Sequence, residues 1–508
     1  MSLHPPSSFS KVAIIGTGFG GLGMAYYLKQ AGIKSFTLFE KAAEVGGTWR
    51  ENTYPGSGCD LPSHLYSFSF ERHYPWSWRY PKQAEIHEYQ RHCARKYGLY
   101  PHIRFGCELA GARFDEARAR WILSLASGEV HETEFLITAV GQLNRPAIPK
   151  IPGLDRFQGK AFHSAEWDHG YDLNGKTVAV IGTGASAVQF VPEIARRVQR
   201  LHVYQRTPGW VIPKVERAFS DFERRLLDRM KWLLDLDRAR IFGITEALGF
   251  AYRGHKWAEA IATGFARSHI HRQVRDPVLR KKLTPDYPIG CKRALLSNDW
   301  LPALIRPNVE VVTDAITEIT ATGIRTADGQ LRKVDALILG TGFAASDFLA
   351  PMQIHGLEGR ELASQWKQGA ESFLGMSAPG FPNLFVLYGP NTSLGSGSII
   401  YMLEQQQRYV VQLIQAQAAT GYRTIDVRPA AVQRHMQEIR ARSARSTYEG
   451  GCKSWYQNAE GLNTNNWVGS QREFARRTQR PDLANYEMSG PVVRDEVLAS
   501  MVVEDLVS

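Results

Sequence analysis

Residues 11 to 21, Lys11-Val-Ala-Ile-Ile-Gly16-Thr-Gly18-Phe-Gly-Gly21, decide the fold. An uninterrupted apolar run of this length is what a buried parallel strand requires. It gives way at once to glycines in the order G-x-G-x-x-G and then to a helical pattern through Leu28. The first glycine permits a tight turn, the second lets the backbone approach a pyrophosphate, and the third lets helix and strand pack closely. The helix N-terminus then offers the phosphates free N–H groups and a partial positive charge. The next apolar run, Ser35-Phe-Thr-Leu-Phe, ends at Glu40. A carboxylate there accepts hydrogen bonds from ribose hydroxyls and disfavours a 2′-phosphate, so this unit is expected to hold FAD or NAD.

The pattern recurs downstream. Lys176-Thr-Val-Ala-Val-Ile reads as a strand, Gly182-Thr183-Gly184-Ala-Ser186-Ala187 as a second phosphate turn, and Leu201-His-Val-Tyr-Gln as a strand ending at Arg206-Thr207. Gly16 to Glu40 is 24 positions and Gly182 to Arg206 is also 24, so the two units place opposite charges at the same ribose. A permanent cation able to form a bidentate fork suits a 2′-phosphate. The expectation is an α/β chain with two dinucleotide-binding, Rossmann-like domains, FAD in the first and NADPH in the second.

Composition agrees with a multidomain enzyme. A chain of 508 residues exceeds one hydrophobic core. No apolar run reaches membrane-spanning length and the N-terminus lacks a signal-peptide core, so a cytoplasmic protein without stable membrane insertion is expected. The net charge of +11 is spread through the chain, which favours a polyanionic cofactor over nucleic acid or an acidic membrane face. Five cysteines, Cys59, Cys93, Cys107, Cys291 and Cys452, form no CxxC pair, so neither a disulfide framework nor a zinc site is expected. His87 and His92 are five apart and miss the H-E-x-x-H spacing; no metal is expected.

The expected boundaries are a first part of the FAD domain over 1–145, NADPH-domain parts over 146–215 and 284–345, and a helical insertion over 216–283. Residues 346–508 complete the FAD domain and add a C-terminal substrate-side segment. The insertion is rich in arginine and aromatic residues; a basic amphipathic helix can lie on a membrane surface, but its apolar stripe is read as core-facing. Between the glycine turns, Phe157-Gln-Gly159-Lys-Ala-Phe-His163-Ser-Ala-Glu-Trp167-Asp168 is expected to be a connector.

That pattern, F-x-G-x3-H-x3-W-D, resembles the fingerprint of the Baeyer-Villiger monooxygenases, flavoproteins that insert an oxygen atom beside a ketone carbonyl using FAD, NADPH and O2. Gly46-Gly-Thr48-Trp49 and Tyr54-Pro-Gly-Ser-Gly-Cys59-Asp60 resemble the family's flavin-lining segment. The resemblance implies that Thr48, Trp49, Cys59, Asp60 and Tyr66 lie against FAD, and that Gly159, His163, Trp167 and Asp168 couple the domains. Gly290-Cys-Lys292-Arg293 resembles the catalytic arginine segment, with Lys292 on the NADP phosphate and Arg293 over the flavin, steadied by Asp60. The following Ala294 departs from a proline frequent in the family.

In that family a C4a-peroxyflavin attacks the ketone, and the adduct rearranges to an ester or lactone. An oxidase of nitrogen or sulfur would share both glycine turns, and a non-catalytic FAD/NADPH redox sensor would share the whole frame. The partners implied are a small-molecule ketone and O2.

Overall fold

Two sheets, one mixed and one all-parallel, each built around one glycine turn, organise the chain, which the computed structural model describes for residues 8 to 490 except 453 and 459. The N-terminal eight-residue reading and the end of the 346–508 stretch therefore fall partly outside the described residues. In the first sheet, Ser8–Ile15 lies between Phe36–Phe39 and Val130–Thr138, parallel to both. Leu109–Asp115, Arg120–Leu125 and Val130–Thr138 run antiparallel in sequence, and the late strands Gln353–His355 and Leu384–Val386 return to this sheet. The second sheet has the order Val309–Val312, Arg200–Tyr204, Thr177–Ile181, Ala336–Leu339, Lys160–His163, all parallel.

Both central strands are covered on two faces, which is why they read as unbroken apolar runs. Val12, Ala13, Ile14, Val178, Ala179 and Val180 are wholly buried. Helix Phe19–Gln30 is held against the sheet by helix Ile399–Thr420, whose Gln407 donates to the carbonyls of Phe19 and Gly20.

The fingerprint stretch departs from its reading as a connector. Lys160–His163 is the edge strand of the second sheet, and Trp167 packs on Phe162 and on Phe190 of helix Ala185–Ile194. An edge strand needs only one buried side, and the burial here falls on His163 alone, so four residues carry no legible periodicity.

The insertion is helical: Asp221–Arg229, Lys231–Tyr252, Lys256–Gln273 and Pro277–Leu283. Its longest helix docks on the first domain, with Asp235 on Arg72, Asp237 on His64 and Arg79, and Arg238 donating to the His64 and Ser67 carbonyls. The core-facing reading fails for helix Asp221–Arg229, which buries no residue and leaves Phe222 71 % exposed. Periodicity identifies an apolar face without saying what covers it.

His87 bonds the Val45 carbonyl and His92 bonds Glu71, so the two serve separate partners. No group of three metal-ligating side chains and no helix long and apolar enough to cross a membrane occurs among the described residues.

Two buried histidines give the fold a pH dependence. Burial pushes His131 and His435 down to about 4, with nearby arginines adding to the effect. Their folded pKa lies below the unfolded value, so the unfolded chain binds more protons between these pKa values and stability falls with falling pH. Each histidine is expected to remove about 2 kcal/mol on going from pH 7 to pH 5. Urea unfolding at the two pH values measures this, and His435→Gln should flatten part of the slope.

Candidate active site

Both glycine turns have the geometry their sequence demands. Gly16 and Gly182 have φ of +98° and +108°. An added Cβ would come within 2.8 Å of the Ala139 carbonyl oxygen at Gly16 and 2.3 Å of the Gly340 oxygen at Gly182. At Gly21 it would lie 1.9 Å from the Gly16 oxygen, the close helix-to-strand approach that the third glycine permits. The middle glycines face open space: nothing lies within 4 Å of a Cβ on Gly184, and only Gly47 Cα, at 3.9 Å, near one on Gly18. Neither following helix has a side-chain cap. Open backbone beside uncapped N-termini fits a pyrophosphate in each unit.

The charge contrast is present in three dimensions. Glu40 is buried at the end of strand Phe36–Phe39, accepting from Thr17 N (3.1 Å), the Thr17 hydroxyl (2.6 Å) and Ala42 N (3.0 Å), with Arg50 at 3.2 Å. In the second unit, Arg206 is exposed at the corresponding strand end, and Lys292 Nζ donates to the Thr207 hydroxyl at 3.0 Å. Burial, then repulsion from Arg206, lowers the Lys292 pKa. Neither cation has an ion pair among the described residues, so the cluster is electrostatically incomplete and fits a phosphate.

Thr48 opens the short helix Thr48–Glu51, and the Trp49 indole donates to the Tyr66 hydroxyl at 2.9 Å. Phe19 of the first glycine turn packs edge-on against Tyr66, ring centres 5.4 Å apart. Cys59 is buried beside them, its thiol pushed up to about 12 by burial, so it is held protonated and unreactive.

Arg293 enters this region from the second domain. It precedes the short strand Leu295–Leu296, which pairs with Val211–Ile212 just after Arg206-Thr207. Burial opposes its charge, but Asp60 and then Tyr456, Tyr388 and Tyr252 outweigh this and raise its pKa. Its guanidinium makes no hydrogen bond or ion pair among the described residues, leaving its donors free.

The expected contact between Asp60 and Arg293 is not made within 4 Å. The cation nearest Asp60 is Lys214, Nζ to Oδ1 3.9 Å, a buried residue two past the paired strand Val211–Ile212. Burial raises the Asp60 pKa against the pull of Lys214 first and Arg293 second. Sequence reasoning missed Lys214 because a lysine after Pro213 reads as surface.

It missed Gln189 too, which joins the domains by accepting from Tyr54 (3.1 Å) and Gly58 N (3.2 Å) and donating to the Gly58 carbonyl (2.9 Å). The coupling expected of the fingerprint is made mainly around it. His169 bonds Thr53 at 2.8 Å, while Asp168 pairs with Lys160 of the preceding strand. His163 accepts from Ala165 N and packs on Phe343, and a Cβ at Gly159 would meet the Asp335 carbonyl at 2.5 Å.

The cysteine reading is overturned. Cys291 and Cys452 form a disulfide across 161 residues, and Cys59, Cys93 and Cys107 are free. Spacing rules register local pairs only, whereas this pair is closed by the fold. The bond ties the segment carrying Tyr448, Trp455 and Tyr456 to the residue next but one before Arg293. Cys452→Ser is expected to lower stability by ~2–4 kcal/mol by releasing a long loop in the unfolded chain. Thermal unfolding with FAD content as a control tests it.

Tyr252, Tyr388, Tyr448 and Tyr456, all acting on Arg293 electrostatically, form the remaining wall. The Tyr456 hydroxyl is buried without a hydrogen-bond partner. Tyr388 and Asn391 have φ of +59° and +56°, so the loop between strand Leu384–Val386 and helix Ile399–Thr420 holds two non-glycine residues in the left-handed region. Such strain collects at functional sites.

The pattern of the flavin-binding monooxygenase-like family matches residues 9 to 242. A Baeyer-Villiger monooxygenase of Streptomyces coelicolor is 44 % identical over 95 % of this chain and 93 % of its own length. The crystal structure of cyclohexanone monooxygenase from Rhodococcus sp. Phi1 bound to NADP+ superposes with a TM-score of 0.84 at 28 % identity, covering 96 % of this chain and all of that one. OTEMO in complex with FAD and NADP matches equally, TM-score 0.84 and 28 % identity over 95 % of this chain and all of that one. With two glycine turns, a free arginine between them and relatives that span nearly its whole length, the chain belongs to the Baeyer-Villiger monooxygenases.

Proposed function

We propose that the site around Arg293 inserts one atom of O2 beside the carbonyl of a ketone, giving an ester or lactone, with FAD and NADPH as cofactors. The observation that carries this reading is the unpaired guanidinium of Arg293, held at the junction of both cofactor-binding units. FAD reduced by NADPH supplies the oxygen-activating chemistry when bound. Gly16, Gly18, Gly21, Glu40, Thr48, Trp49 and Tyr66 would hold FAD. Gly182, Gly184, Ser186, Arg206, Thr207 and Lys292 would hold NADPH.

The residues' own work is electrostatic. Oxygen insertion builds negative charge on oxygen near the carbonyl, and a guanidinium stabilises it without surrendering a proton. Asp60 supports that charge, and Lys214 and then Arg293 pull against the burial that raises the Asp60 pKa. The tyrosine wall excludes water and bounds the ketone. Incubation with NADPH and a panel of linear, cyclic and aryl ketones, with products identified by mass, tests the reading. Ester or lactone from any member is the expected outcome; oxidation confined to amines and sulfides would refute it.

A further inference from the structure

The helical insertion carries a feature that the oxygenation site does not use. Helices Lys231–Tyr252 and Lys256–Gln273 form a hairpin joined at its turn by Phe250 on Trp257, ring centres 6.0 Å apart. Each has a buried side, and each also presents apolar residues to solvent at helical spacing. Trp232, Leu236 and Leu248 stand out from the first helix and Trp257, Ile261 and Phe265 from the second, every one at least half exposed. Single exposed apolar residues are ordinary; an outward face built from them on two adjoining helices is not.

Charge identifies what that face fits. The exposed Lys and Arg residues of the two helices are Lys231, Arg240, Lys256, Arg267 and Arg272, and none of their Asp or Glu residues is as exposed. All four carboxylates of the pair are engaged, Asp235 with Arg72, Asp237 with His64, Arg79 and Arg240, Glu246 with Gln471, and Glu259 with Lys256, while Lys231, Arg267 and Arg272 have no ion pair among the described residues. Residues 221 to 283 hold 14 Lys and Arg against 8 Asp and Glu, a balance of +6 within the chain's +11. A second copy of the chain packed symmetrically on this face would set basic surface against basic surface. An anionic bilayer satisfies both properties, taking the tryptophans and aliphatic side chains at headgroup depth while its lipids neutralise the arginines.

We propose that the hairpin Lys231–Gln273 is a peripheral docking surface for an anionic lipid membrane, lying on the bilayer rather than crossing it. This holds independently of the chemistry at Arg293.

The test uses the full-length, FAD-loaded protein and sedimentation with vesicles of phosphatidylcholine alone or with added phosphatidylglycerol. Binding is expected with phosphatidylglycerol, weaker without it, and weaker in high salt. The triple variant Trp257→Gln, Ile261→Gln, Phe265→Gln should lose ~10-fold or more in vesicle affinity with FAD content and turnover unchanged. Arg267→Gln with Arg272→Gln should lose the preference for phosphatidylglycerol. On the parent protein alone, brominated lipid chains should quench tryptophan emission. Absence of parent binding, absence of quenching, or a triple variant that binds as the parent does would overturn the proposal. So would light scattering that finds a parent dimer and a monomeric triple variant, since a second copy would then cover the face.

Discussion

Arg293→Ala is expected to keep FAD and its reduction by NADPH while ester formation falls by ~10²–10³-fold or more, the scale seen when one preorganised charge stabiliser is removed. The argument rests on how this side chain is held. Its guanidinium spends no donor on the described residues, yet it sits where burial would discourage a charge were Asp60 and the tyrosines not present to sustain it. A charge maintained at that cost and left unpaired is available to whatever anion forms beside it. Arg293→Lys keeps a cation but gives up the planar fork and the assured protonation, since buried lysines shed protons readily, so it should recover only part of the loss. Stopped-flow measurement separates the steps: flavin reduction unchanged, product formation lost. If flavin reduction fell in parallel with product, Arg293 would be acting in NADPH binding instead.

Removing the second cluster should have a different signature. Arg206→Ala combined with Lys292→Ala is expected to weaken NADPH by ~2–3 kcal/mol, about 30- to 150-fold in the concentration required, as for lost charge-assisted hydrogen bonds. NADH, which lacks the 2′-phosphate, should be used nearly as well as by the parent. Burial and then repulsion from Arg206 lower the Lys292 pKa, Asp286 opposes this, and neither cation has an ion pair among the described residues, so an incoming anion relieves their repulsion. An equal rise in the NADPH and NADH requirements would place the phosphate reader elsewhere.

The residues that sequence reasoning found and those it missed differ in kind. Gly16, Gly182, Glu40 and Arg206 were legible because each is fixed by a local rule, a turn that needs positive φ or a charge at a set distance along one βαβ unit. Gln189 and Lys214 obey no such rule. A glutamine in the first turns of a helix and a lysine after a proline are ordinary until the fold brings Gly58 and Asp60 against them.

The fingerprint stretch is legible by pattern but not by place, because its four-residue strand draws its hydrogen bonds from Ala336–Leu339, 176 positions away. The aromatic wall is only half legible: Tyr456 falls in the C-terminal stretch read as substrate-side, while Tyr252 falls in the helical insertion read as core-facing.

By itself the sequence determined the two nucleotide-binding units, their order and the opposite charges that close their second strands, all of which depend on backbone geometry and spacing within about thirty residues. Only the tertiary structure decided that Lys214 rather than Arg293 lies nearest Asp60, that Cys291 closes on Cys452, and that the insertion turns an apolar, basic face outward. Those are contacts between segments more than a hundred residues apart, or the lack of one. Their energy comes from burial and charge in three dimensions, to which no local periodicity is sensitive.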